Sequence, residues 1–225
     1  MSDNQAAVTA QLQIDFVSDV ACPWCAIGLA SLEQALHRLD GVVNARIDFQ
    51  PFELNPGMGA GGENIDEFIG GRYGADAARM TAMRENVRAR AASVGLAFNQ
   101  DASSRIYNTF DAHRLLHWAQ ASGRQPALKH ALFKANFTAN ADVSDHDVLA
   151  AAAIEAGLDG AEAREILATG RYTEEVREAE KLWISRGINA VPGVVINGKW
   201  LISGGQPPEV FEQSLREIAG QVRGA

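Results

Sequence analysis

The only two cysteines in the 225 residues sit two apart, in Cys22-Pro23-Trp24-Cys25, and the periodicity of the chain changes across them. Before the pair, Leu12-Gln13-Ile14-Asp15-Phe16 alternates apolar and polar residues, as a half-buried strand does. After it, Leu29, Leu32, Leu36 and Leu39 recur at spacings of three and four, as on the buried face of a helix. The cysteines therefore stand where a strand ends and a helix begins, and Pro23 suits the first helical position. A helix start carries unpaired N–H groups and partial positive charge, which favour a thiolate over a thiol. That predicts Cys22 as a nucleophile and Cys25 as the thiol that resolves a mixed disulfide.

The competing reading of such a pair is half of a zinc site. Structural zinc takes four ligands, and no further cysteine exists. His113 and His117 are four apart but have no acidic or cysteine partner in the local sequence, so helix packing or surface placement is expected and no metal. A formal charge of -8 without a Lys- or Arg-rich run argues against nucleic acid or an anionic membrane as partner. No apolar run approaches the roughly 20 residues of a membrane-spanning helix. Met1–Gln5 carries no basic residue and no apolar block follows, so no secretory leader and a cytoplasmic location are expected. In the cytosol a close cysteine pair is catalytic or metal-binding rather than a structural framework.

Along the chain, residues 1–10 read as a disordered lead-in. Val43, Ala45, Ile47 and Phe49 alternate with polar residues and predict a second strand, parallel to the first through a right-handed helical crossover. Pro51 to Gly62 breaks the pattern. From about Asn64 to Gly170 no strand is expected; helical patterns follow one another with stops at Gly95, Gly123, Gly157 and Gly170. Ser144 with Asp147 reads as a capping box, leaving His146 a helix-start residue. Helices are also expected from Pro126 and from Thr173 to near Gly187. Val194–Ile196 and Lys199–Ile202 flank Asn197-Gly198, the signature of a type I′ hairpin. Pro207-Pro208 opens a last helix carrying Val210, Phe211, Leu215 and Ile218. The expected class is α/β: a thioredoxin-like mixed sheet from residues 11–57 and 172–225, interrupted by a helical insertion at 62–171. Phe110, Leu115, Leu116, Leu132, Phe133 and Phe137 are expected to build the insertion's core.

Cys-Pro-Trp-Cys after the first strand, with Val191-Pro192 before a β-hairpin, resembles the thioredoxin fold, and the helical insertion resembles the DsbA family. Closer still is its FrnE-like subgroup of cytosolic dithiol proteins. The resemblance spans most of the chain and is carried by Asp19–Gly28, Phe52–Pro56, Asn108–Leu115, Phe133–Phe137, Gly187–Pro192 and Ser203–Gln206. It implies a cis Val191–Pro192 bond lying against the dithiol, where the backbone before the proline pairs with an extended substrate. Pro23 and Trp24 are then placed to contact substrate and to set the redox potential. Relatives often carry a buried acid six residues before the nucleophile. Here that position is Phe16, and of its acidic neighbours Asp15 and Asp19, Asp19 is the candidate proton acceptor because it is nearer the motif.

The activity expected from these residues is thiol–disulfide oxidoreduction or isomerisation, with no cofactor beyond the redox-active Cys22–Cys25 pair and with glutathione as a candidate co-substrate. Partners would be protein or small-molecule disulfides and thiols, with glutathione or a thioredoxin system as reductant. Two alternatives stand beside it. One is a glutathione-dependent isomerase or transferase of the same fold, of the 2-hydroxychromene-2-carboxylate isomerase or kappa-class type, which usually has Ser at the first cysteine and lacks the second. The other is a non-catalytic peptide-binding holdase. Assembly is open, with a homodimer through the Trp200 and Phe211 regions among the options.

Overall fold

In the computed structural model, which describes residues 9–59 and 61–224, a four-stranded sheet runs in the order β2-β1-β5-β6. The strands are β1 (Ala10–Ser18), β2 (Val43–Pro51), β5 (Gly193–Ile196) and β6 (Trp200–Ser203). β1 is parallel to β2 through helix α1 (Pro23–Arg38), and antiparallel to β5, which is antiparallel to β6. The first eight residues of the expected lead-in lie outside the described residues, and Ala10 already pairs with Val43.

Alternation along β1 sends its residues to two different cores. Ile14 and Phe16 join α1 and the last helix α9 (Pro208–Arg223), where Leu29, Leu32, Leu215 and Phe211 are wholly buried. Phe211 is thus core rather than interface, while Val210 on the other side of α9 is exposed. Val17 faces the opposite way and packs with Val195, Ile188 and Trp183 of α8 (Thr173–Ser185).

Between the sheet halves lie β3 (Glu63–Asn64), α2 (Ile65–Tyr73), α3 (Ala77–Ser93), β4 (Arg105–Ile106), α4 (Phe110–Ala121), α5 (Gln125–Phe133), a π-helical turn (Lys134–Thr138), α6 (His146–Glu155) and α7 (Gly160–Thr169). The β3–β4 pair corrects the expectation of no strand after Asn64. A two-residue strand is too short to leave a period-2 signature. Gly95, Gly123, Gly157 and Gly170 all have positive φ just beyond helix ends.

Two local details differ from expectation. Asp145, not Ser144, caps α6, accepting from the N–H groups of Asp147 and Val148, while the Ser144 hydroxyl donates to Asp142. In the hairpin Asn197 and Gly198 have the positive φ of a type I′ turn, yet Ile196 pairs with Trp200, so Lys199 is an extra loop residue.

The insertion is fastened to the sheet by polar groups as well as apolar ones. Gln125 at the start of α5 accepts from Phe49 N–H at 2.8 Å and donates to the Phe49 carbonyl at 3.0 Å. Leu115, Leu116 and Leu132 form the insertion's own core with Val20 from the loop before the cysteines. Phe133 and Phe137 do not join it: they turn to the sheet-side core that contains Cys22 and Cys25. Phe110 is only half-buried, with the Arg177 guanidinium 3.7 Å over its ring. Hydrophobic spacing places a residue on a helix face but does not say which neighbouring core that face meets.

Candidate active site

Cys22 is the residue that caps α1. Its φ and ψ are extended, its carbonyl accepts from Cys25 N–H at 3.1 Å, and no acidic residue occupies the first helical turn. Nothing there opposes negative charge at the helix start. The Cys22 Sγ donates to the Val191 carbonyl at 3.8 Å, and the Val191–Pro192 bond is cis. The whole assembly of dithiol and proline loop comes together across the 169 residues that separate Cys22 from Val191.

The close approach is possible because glycines stand where the backbones meet. A Cβ on Gly28 would lie 3.2 Å from Pro192 Cγ, and one on Gly205 would lie 2.7 Å from the Trp24 carbonyl oxygen. Gly204 N–H also donates to the Pro192 carbonyl at 2.8 Å, tying the end of β6 to the proline loop. Gly205→Ala is therefore expected to push the loop off α1, costing about 1–3 kcal/mol and up to roughly 10²-fold in exchange rate. Gly220→Ala, at an unobstructed helical position, should leave both unchanged or raise stability slightly. Turnover of a model disulfide beside thermal unfolding checks the contrast.

The two sulfurs differ in setting. Cys25 has no exposed surface, and burial, reinforced by the adjacent Cys22 sulfur, pushes its thiol well above the ordinary range. Cys22 is 3% exposed and adjoins Trp24, whose exposure of 37% makes it the accessible aromatic of the motif. Pro192, Val191 and Leu201 line a groove of about 330 Å³ at the proline loop.

Behind the dithiol lies a buried polar cluster. Asp19 accepts from Leu54 N–H at 2.7 Å and from Ala21 N–H at 3.1 Å, and His113 Nε2 lies 3.6 Å from its carboxylate, an ion-pair distance rather than a hydrogen bond. Burial pushes the Asp19 carboxyl up, but His113, the Leu54 N–H and Thr109 together outweigh it and hold it below the ordinary range. A lowered folded value means stability that is full above about pH 4 and lost as pH falls through that lowered value. Asp19→Asn should accordingly flatten the acid limb of an unfolding-midpoint-versus-pH curve. Asp15, by contrast, accepts from Gln50 away from the dithiol, and Phe16 is wholly buried, 5.8 Å from Phe49 in an edge-to-face pair.

Sequence reasoning gives three residues of this site no role in it. His113 looks like a packing residue in the sequence but is 2% exposed beside Asp19, while His117 tilts against the Tyr172 ring. Asn136 donates to the Val20 carbonyl at 3.0 Å, holding the loop that leads into the cysteines. Lys129 is completely buried, with its Nζ 4.8 Å from the Phe133 ring centroid and 5.9 Å from that of Phe49. The signal available for Lys129 is a charged residue on the apolar side of α5. His146, at the first position of α6, bonds the Asp111 carboxylate at 2.8 Å. Among the described residues no cluster of His, Cys, Asp and Glu has a metal-binding arrangement, and no helix is long and apolar enough to cross a membrane.

Residues 13–216 match the family model described as a DSBA-like thioredoxin domain. The chain belongs to the DsbA-like family. A solved structure described as a probable DsbA oxidoreductase from Streptomyces coelicolor is 35% identical, with a TM-score of 0.84, covering 93% of this chain and 90% of that one. YwbO of Bacillus subtilis, an uncharacterised protein, is 27% identical over 207 residues, 92% of this chain and 96% of its own length. The cytosolic disulfide reductase DsbM of Pseudomonas aeruginosa, solved with glutathione, shares the fold at 18% identity and a TM-score of 0.60, covering 92% of this chain and 98% of its own. These matches are consistent with the FrnE-like subgroup. In the DsbA-like frame the helical segment between β2 and β5 supplies His113 beside Asp19, and the sheet supplies the proline loop at Cys22.

Proposed function

We propose that this DsbA-like protein catalyses dithiol–disulfide exchange through Cys22 and Cys25 in the cytoplasm. The observation that carries the reading is the placement of Cys22 Sγ at a helix N-cap, 3.8 Å from the carbonyl preceding the cis proline. Cys22 thiolate attacks a substrate disulfide, forming a Cys22–substrate bond and releasing one substrate thiolate. Cys25, deprotonated, then attacks Cys22 Sγ, closing the Cys22–Cys25 disulfide and releasing the second substrate thiolate. Two electrons pass from the dithiol to the substrate; in reverse the same steps oxidise a substrate dithiol.

Val191 and Pro192 would align an extended substrate in the groove, with Pro23 and Trp24 contacting it beside the sulfur. No cofactor beyond the cysteine pair is needed. Glutathione fits as co-substrate or reductant, and the glutathione-bound cytosolic DsbM supports both that choice and the cytoplasmic location. Retention of two thiols counts against the isomerase or transferase reading, whose chemistry needs no resolving cysteine. The test is a glutathione-buffer redox titration with Cys22→Ser as control. A reversible two-electron transition with Cys22-dependent turnover supports the proposal, and its potential sets the direction: about −270 mV for a reductant, about −120 mV for an oxidant. Full activity in Cys22→Ser would move the binding and isomerase readings ahead.

A further inference from the structure

The groove at the proline loop does not end there. A second hollow of about 410 Å³ lies between the C-terminal end of α8 and the β5–β6 hairpin, and Ile188 and Leu201 line both. The two therefore run together, from the Val191 carbonyl beside Cys22 Sγ to the hairpin turn. Leu201 stands on β6, an edge strand of the sheet, and is 51% exposed, so an apolar side chain shared by both hollows is left uncovered.

The far end carries charge of one sign. The Arg186 guanidinium lies 5.0 Å from the centre of the Trp183 ring and Lys199 Nζ lies 4.6 Å from that of Trp200, and all four residues line the second hollow. Stacking on an aromatic face holds a cation in place without neutralising it. Both cations are exposed, and neither makes an ion pair among the described residues. Asp15 feels the Arg186 charge, but its carboxylate is bonded to Gln50. From Pro192 to Ile196, whose partner Trp200 adjoins Lys199, the backbone advances four strand steps, about 13 Å. An extended peptide whose cysteine meets Cys22 brings a residue about four positions away to that level.

We propose that Arg186 and Lys199 form a specificity site for polypeptide substrates carrying an acidic residue about four positions from the reacting cysteine. The inference rests on the dithiol-exchange reading and names the substrate class of that site. The peptide lies along Val191, Ile188 and Leu201, covering the exposed leucine, and its carboxylate meets the two cations. A small free anion would satisfy the charge but leave the groove between Cys22 and the cations empty, so an extended chain is the occupant that fits both features. The exchange chemistry at the sulfurs is untouched; the site acts on association and alignment, and so on kcat/KM.

The experiment uses reduced protein and peptides of about a dozen residues, each with one cysteine held as its disulfide with neutral 2-thiopyridine, whose release is followed by absorbance. A Glu, Gln or Lys pair is placed next to the cysteine, about four positions away or about eight away, on either side. At low ionic strength the Glu peptide with the middle spacing should react roughly tenfold faster in kcat/KM than its Gln counterpart, and the Lys peptide roughly tenfold slower. The preference should shrink at about 0.5 M salt. In the double variant Arg186→Glu with Lys199→Glu the order should invert. Each rate is divided by that of the Gln peptide in the same protein, so a general loss of activity cancels. The net charge of -8 works in the opposite direction, since long-range steering alone would favour Lys peptides at every spacing. A preference for Lys, the same preference at every spacing, or an unaltered order in the double variant would overturn the proposal. So would a dimer in light scattering that Leu201→Asp dissolves, which would assign the uncovered face to a second copy of the chain. Should the double variant fail to fold, spacing and salt dependence in the unaltered protein decide. Absence of Cys22-dependent reaction with any peptide would instead bring down the dithiol reading and this inference together.

Discussion

Cys22→Ser should reduce disulfide turnover to background, while Cys25→Ser should form a mixed disulfide with substrate and stall there. The two substitutions differ by one atom each, yet burial separates their consequences. Cys22 is itself only 3% exposed, but it stands at the helix N-cap beside exposed Trp24 and under the Val191 carbonyl, the more accessible of the two sulfurs. Serine there is a far weaker nucleophile near neutral pH because its hydroxyl stays protonated. Cys25 has no exposed surface and its thiol is pushed upward, so it cannot begin the reaction, only end it. A gel shift or intact-mass increase retained in Cys25→Ser and absent from Cys22→Ser checks the order. A stable adduct on Cys25 in the Cys22→Ser protein would reverse the assignment.

Arg114→Met should be the most damaging substitution for stability outside the dithiol, lowering it by about 3–5 kcal/mol. Arg114 is 3% exposed on α4 and donates to the carbonyls of Ile166 at 2.6 Å, Leu167 at 3.1 Å and Arg171 at 3.0 Å. The first two belong to the last turn of α7, whose carbonyls have no partner within the helix. Its guanidinium also pairs with Asp111 at 2.7 Å. One side chain thus satisfies the end of α7 and matches the negative end of that helix. Methionine keeps much of the stem packing but leaves these oxygens buried and unpaired, at about 1–3 kcal/mol for each such group. The unfolding midpoint should fall by roughly 6–20 °C. Cys22 alkylation of the surviving folded fraction should stay near the normal rate, since α7 lies in the insertion away from the sulfurs. A midpoint within a degree or two of the original would show that water replaces the guanidinium.

Much of this protein was decided by residues close together in sequence. The alternation of β1 and β2, the leucine spacing of α1, the glycines after the helices and the Asn197-Gly198 turn are local preferences, and each produced its element. Cys22 at a strand-to-helix junction is equally local, because the helix begins one residue later.

What only tertiary structure decided is what meets that junction. Phe133 and Phe137 have the spacing of an insertion core but join the sheet-side core, because α5 packs on β2 and the π-helical turn continues from it. The β3–β4 pair is too short to carry a pattern. Most of all, Asp19, His113 and Lys129 are buried from separate elements; Asp19 stands out in the sequence by its nearness to the motif, whereas His113 and Lys129 look like ordinary helix residues in one dimension. Proton affinity depends on burial and on neighbouring charges, both fixed by through-space distance, so the chemistry behind Cys25 becomes visible only once the chain has folded.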